Sequence, residues 1–116
     1  MLEPTKAALS ALKAFERKTA TTAHNVANID TDGFRASRVV MQTAFPVGVK
    51  SEVRQVIAPG AVVDISDGTG RSREVSNVDL GKETGTLIIA THGYKANLKT
   101  LRTWDDMTKT VINLLA

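Results

Sequence analysis

The chain contains no cysteine, which excludes disulfides and thiolate metal sites. Histidine occurs twice, at His24 and His92, and no carboxylate stands at a metal-binding helical offset such as His-Glu-x-x-His. A metal-dependent enzyme therefore lacks a third ligand. No apolar run approaches the ~20 residues that a membrane span requires. Met1 to Ser10 has no apolar stretch behind a basic start, so no cleaved signal peptide is expected. Aromatic residues are scarce: three Phe, one Tyr and one Trp. They are not interleaved with basic clusters, as a stacking platform for single-stranded nucleic acid would need. Positive charge slightly exceeds negative, giving a net +3, but no long block of like charge marks a nucleic-acid tail.

At 116 residues the chain is one domain at most, with modest scope for a core. The pattern predicts a first helix over about residues 5–28. Ala8, Leu12, Phe15, Thr19, Thr22, Val26 and Ile29 recur at steps of three and four and share a face. Pro4 suits the first turn. Asn28 is a candidate for the left-handed residue that ends many helices. Thr31-Asp32-Gly33 supplies turn chemistry, and Phe34 follows as an apolar anchor.

The texture changes over residues 35–75. Val47, Val49, Val53 and Ile57 share one parity, the sign of a half-buried strand. Pro59-Gly60 breaks it, and Ala61 to Ile65 is a second strand candidate. These two runs suggest a small hairpin, and Asp67-Gly68-Thr69-Gly70 is read as a turn or flexible loop. A hairpin alone is marginal in water, so it must lie on a helix or on another subunit.

A second helix is expected over about residues 79–114. Ser76 or Asn77 can cap it, and Asp79 and Glu83 suit its positive end. Leu87, Thr91, Tyr94, Leu98, Leu101, Trp104, Thr108, Val111 and Leu115 follow a heptad-like stripe. Gly81, Gly85 and Gly93 each cost about 1 kcal/mol relative to alanine, so this helix needs packing to be stable. The fold class is thus mainly α, two long terminal helices packed as a hairpin or coiled coil around a short β middle. The divisions are 1–34, 35–75 and 76–116.

Candidate chemistry is thin. Asp105-Asp106 are adjacent on a helix and do not face each other, so they read as a solvated face and not as paired acid–base groups. Asp67 to Gly70 lacks the Gly-Lys-Ser/Thr of a phosphate loop. Lys95, Lys99 and Arg102 form a basic strip, read either as solvated or as a contact for acidic residues of a neighbour. Asn25 and Asn97 are read as amides that fix register at a helix interface, Asn28 and Asn77 partly as caps.

The run Ala23 to Phe34, Asn-rich and ending in Thr31-Asp32-Gly33-Phe34, resembles the N-terminal signature of the flagellar axial proteins, the rod and hook proteins of bacteria. Ser76 to Leu80, Glu83 and Tyr94-Lys95-Ala96-Asn97 resemble that family's C-terminal signature. Within it, Phe34 to Met41 and Gly48 to Lys50 look like the small proximal rod proteins. Asp32 stands where proline is usual, and the middle is shortened. The resemblance implies a structural rod subunit with no catalytic, cofactor or metal site. It implies assembly with itself and other axial proteins, and passage through the flagellar export apparatus to the periplasmic rod. Small-molecule substrates, nucleic acid and membrane insertion are not expected. On this reading the subunit interface takes Leu12, Phe15, Asn25, Val26, Asn28 and Phe34 from the first half of the chain. Leu80, Leu87, Tyr94, Asn97, Leu98, Leu101, Trp104 and Val111 come from the second. The rival readings are a diverged helical-hairpin oligomer with another partner and a small basic nucleic-acid-binding module.

Overall fold

A computed structural model describes residues 2–116. Helix α1 (Leu2–Ala27) is followed by strands β1 (Ser37–Thr43), β2 (Val49–Gln55), β3 (Val62–Asp64) and β4 (Ser72–Glu74), and by helix α2 (Leu80–Leu115). The two helices run antiparallel. The end of α1 meets the start of α2 at Asn25 and Glu83, Phe15 meets Gly93 midway, and Pro4 and Trp104 line one groove at the far end. The expected mainly-α hairpin with a small β middle is what forms.

The helical seam is built from small and polar groups. Ala8, Ala11, Leu12, Ala14 and Thr22 are buried on α1, and Glu83 and Ala90 on α2. The expected stripe starts off this face, with Leu87 42% exposed and Thr91 exposed beside it, and joins the hairpin further along, where Tyr94, Leu98, Leu101 and Trp104 are half-buried. Small residues win the seam because they let the helix axes approach, whereas Leu87 would hold them apart. Threonines fit within α2 by donating their hydroxyls one turn back, as Thr84 does to Leu80, Thr91 to Leu87 and Thr108 to Trp104.

The β middle pairs differently from expectation. The Val49 strand does not fold onto the Ala61 run. It pairs antiparallel with Ser37–Thr43, and Val62–Asp64 pairs with Ser72–Glu74. The strand Ser37–Thr43 lacks strict alternation in the sequence, which is why it escaped the pattern. The Asp67 to Gly70 run is the loop of the second hairpin, between β3 and β4. The β1–β2 hairpin lies along α1. Val49 N–H donates to Ser10 Oγ (3.0 Å), Arg17 donates to the Ser51 carbonyl (3.0 Å), and Asn25 binds Ser37.

The exit from α1 also departs from expectation. Asn28 is not left-handed; no non-glycine among the described residues has positive φ. Its amide instead donates to the His24 carbonyl (2.9 Å), and the last turn tightens through Asn28 N to Asn25 O and Ile29 N to Val26 O. The reversal falls at Gly33, with φ 70°, where no side chain is strained.

The molecule measures 82 × 24 × 14 Å, with a radius of gyration of 20.7 Å. A compact chain of this length would have roughly 13 Å. Its accessible surface is 8199 Å². About 6100 Å² is usual for a folded monomer of this mass. The excess is surface that the chain cannot cover alone.

Candidate subunit interface

A buried polar junction fixes the angle between the helices and the β1–β2 hairpin. Asn25 is wholly buried on the last turns of α1. Its amide donates to the Ser37 carbonyl (2.8 Å) and to Glu83 Oε2 (3.2 Å), while its oxygen accepts from Ser37 N–H (2.9 Å). Glu83, also wholly buried, is paired with Arg38 of β1. One amide and one ion pair thus tie α1, α2 and β1, and every member has a partner. The expected register-fixing interface amide, Asn25, makes its bonds to Ser37 and Glu83 within its own chain. Glu83 was assigned only to the helix dipole, because its burial depends on Arg38 arriving from 45 residues away.

A second junction closes the loop end. Asn77 does not cap α2. It accepts from Ala36 N–H (2.6 Å) and donates to the carbonyls of Val56 (3.2 Å) and Ala58 (2.7 Å). Ser76 binds Val78 N–H and does not cap either. The N-cap is Asp79, whose carboxylate accepts from Gly81 N–H (2.9 Å) and Lys82 N–H (3.3 Å). Gly33 N–H donates to the Glu74 carbonyl and Asn77 N–H to the Phe34 carbonyl, joining the α1 exit to the entry of α2. His24 packs edge-on against Phe34, ring centroids 5.5 Å apart. This gives His24 a packing role, and His92 lies exposed on α2. Among the described residues no three His, Asp or Glu side chains converge on a metal position. None of the helices is long and apolar enough to cross a membrane.

The remaining interface candidates separate into two sets. Leu12 is buried, and Phe15, Asn28, Phe34, Tyr94, Asn97, Leu98, Leu101 and Trp104 are half-buried within the hairpin. Asn97 donates to the Gly93 carbonyl one turn back, which is a local bond. Val26, Leu80, Leu87 and Val111 are exposed. They join Ile88, Ile89, Ile112 and Leu115 in the apolar surface of the helices. The middle segment adds Phe45 at the β1–β2 tip, 98% exposed, and Ile57 at 90%. Charge on the flanks is held locally: Arg54 pulls Glu52 below its ordinary range, and Asp105 pushes Lys109 above its own.

The architecture is that of an elongated helical hairpin with an unfinished apolar surface. Residues 6–35 match the family described as flagella basal body rod protein, and residues 71–114 match the flagellar basal body rod FlgEFG protein C-terminal family. Among curated relatives, the flagellar basal-body rod protein FlgG of Bacillus subtilis is 32% identical over 105 residues, which is 90% of this chain and 35% of that protein. The flagellar hook protein FlgE of Escherichia coli is 41% identical over 46 residues, 40% of this chain and 11% of that protein. The same values hold for the flagellar hook protein FlgE of Salmonella typhimurium. The chain belongs to the flagellar basal-body rod protein family. It spans about a third of the length of the rod relative and about a tenth of the hook relatives.

Proposed function

We propose that this chain is a structural subunit of the bacterial flagellar basal-body rod, of the small proximal kind, and not an enzyme. Its terminal helices build a tubular axle with further copies and with other axial proteins, and the axle transmits motor torque. It reaches the periplasmic rod through the flagellar export apparatus. The exposed members of the interface set, Val26, Leu80, Leu87 and Val111, are assigned to contacts between subunits.

One observation carries this reading. The two family-matched segments pack on each other as a single antiparallel hairpin, and that hairpin leaves its outward apolar faces open. A heterologous contact that does not close generates a helical array, which is the geometry an axle needs. Deleting the gene in its own host and imaging basal bodies tests the proposal. Loss of the rod, restored by the wild-type chain, is expected. Intact rods and normal swimming in the deletion would overturn it.

A further inference from the structure

A carboxylate sealed between two helices needs a countercharge, and here neither helix supplies it. Glu83 is wholly buried at the start of α2. From α1 it receives only the neutral amide of Asn25 (3.2 Å). Its ion pair is with Arg38, which belongs to β1.

The cation is delivered by docking of the β1–β2 hairpin. Asn25 grips the backbone of Ser37 in both directions, donating to its carbonyl (2.8 Å) and accepting from its N–H (2.9 Å). That grip places the next residue, Arg38, against Glu83. Further along α1, Ser10 and Arg17 hold β2 at Val49 and Ser51. A two-stranded hairpin is marginal alone, so the position of Arg38 depends on these contacts.

The rest of the seam is poorly equipped to close without the pair. Among the described residues, the buried apolar side chains of the helices are Ala8, Ala11, Leu12, Ala14 and Ala90, and Leu12 alone is large. Alanine methyls bury little apolar area each. Against them stands a bare carboxylate, which is the costly result of removing one member of a buried pair. The pair is also asymmetric. The Arg38 side chain is 34% exposed and keeps water if Glu83 is lost, whereas Glu83 has no exposure to fall back on.

We propose that Arg38 is a latch on the terminal helices. α1 and α2 close on each other only while docked β1 holds Arg38 against Glu83, and release of Arg38 parts the helices along their whole length. The middle segment thereby controls helix pairing within one chain, independently of the assembly reading.

The absence of cysteine allows the test by paired spin labels. Lys6→Cys and Thr103→Cys are exposed positions at the far end of the hairpin, about 30 Å along it from the Asn25–Glu83 junction. Doubly labelled chain is diluted in an excess of unlabelled chain, so that the distances read are within one molecule. The labelled parent should give one short distance. Arg38→Met should convert most of that population to a long, broad distribution. Glu83→Gln should keep the short distance, and Arg38→Met with Glu83→Gln should restore it. An unchanged short distance in Arg38→Met overturns the latch, because the helices then close on a bare carboxylate. A double substitution as open as Arg38→Met also overturns it, because the arginine then acts otherwise than by its charge. So does opening of the same extent in Glu83→Gln, which would make the pair a simple attraction. Circular dichroism accompanies each sample. Where Arg38→Met loses helicity as well, recovery of helix and distance together in the double substitution supports the latch, and failure to recover refutes it.

Discussion

Gly93 lies directly beneath the ring of Phe15, and that ring occupies the place where a β-carbon at position 93 would stand. The glycine is therefore a contact surface, and its helix-weakening character is secondary. Gly85, by contrast, faces open space on the same helix. The pair gives opposite predictions for one substitution. Gly85→Ala should stabilise the hairpin by up to about 1 kcal/mol, the difference in helix propensity. Gly93→Ala gains the same term but forces the ring away, and overpacking of about 1–3 kcal/mol should leave it less stable than wild type. Urea unfolding of both variants decides; equal stabilisation by both would mean that the Phe15 contact is not made.

The buried junction makes a second prediction. Asn25→Ala strands the N–H and carbonyl of Ser37 and removes a donor from Glu83. Each buried group left without a partner costs about 1–3 kcal/mol, so the hairpin should lose roughly 2–4 kcal/mol. Asn28→Ala removes two exposed bonds, its donation to the His24 carbonyl and the one it accepts from the Thr31 hydroxyl, and should cost far less. A similar, small loss for both would show that Asn25 does not hold the three elements together.

These two residues also show what the sequence could and could not disclose. Helical periodicity, the Gly33 turn and the Asp67 to Gly70 loop are local signals, and they placed both long helices and the second hairpin's turn. Register between the helices is not local. The heptad-like stripe begins outside the seam at Leu87 and Thr91, where Ala90 and Gly93 take the close approach, and is half-buried only further along at Leu98, Leu101 and Trp104. Glu83 and Arg38 are each ordinary surface types until the fold joins them. The partner of β2 was missed because Ser37 to Thr43 alternates weakly, its burial being shared between α1 and the sheet.

Acid should loosen the β3–β4 turn later than it would a free aspartate. The hydroxyl and N–H of Thr69 both donate to Asp67, and they hold its carboxyl below the ordinary aspartate range. A depressed folded pKa contributes stability that is present above the unfolded value and disappears as pH falls through the folded one. Thr69 amide chemical shifts followed by NMR should therefore move in that acid window, beneath ordinary aspartate titration. Asp67→Asn should abolish the transition. A titration at or above the ordinary range would contradict the bonds to Thr69.

Assembly and folding can be separated on α2 itself. Leu101 is half-buried against α1, so Leu101→Asp places a charge in the seam and should destabilise the monomer as well as any contact between copies. It is therefore a poor probe of assembly. Val111 is 55% exposed and lies beyond the seam. Val111→Asp should leave the unfolding free energy of the monomer within about 0.5 kcal/mol, as surface changes usually do. It should nevertheless remove concentration-dependent association, because an acid on the apolar face of the last turns must be desolvated when that face is covered. Sedimentation paired with circular dichroism on the same samples reads both effects. Retained association in Val111→Asp would remove the end of α2 from the contacts between subunits. A large fall in monomer stability would instead show that Val111 already has a partner within its own chain.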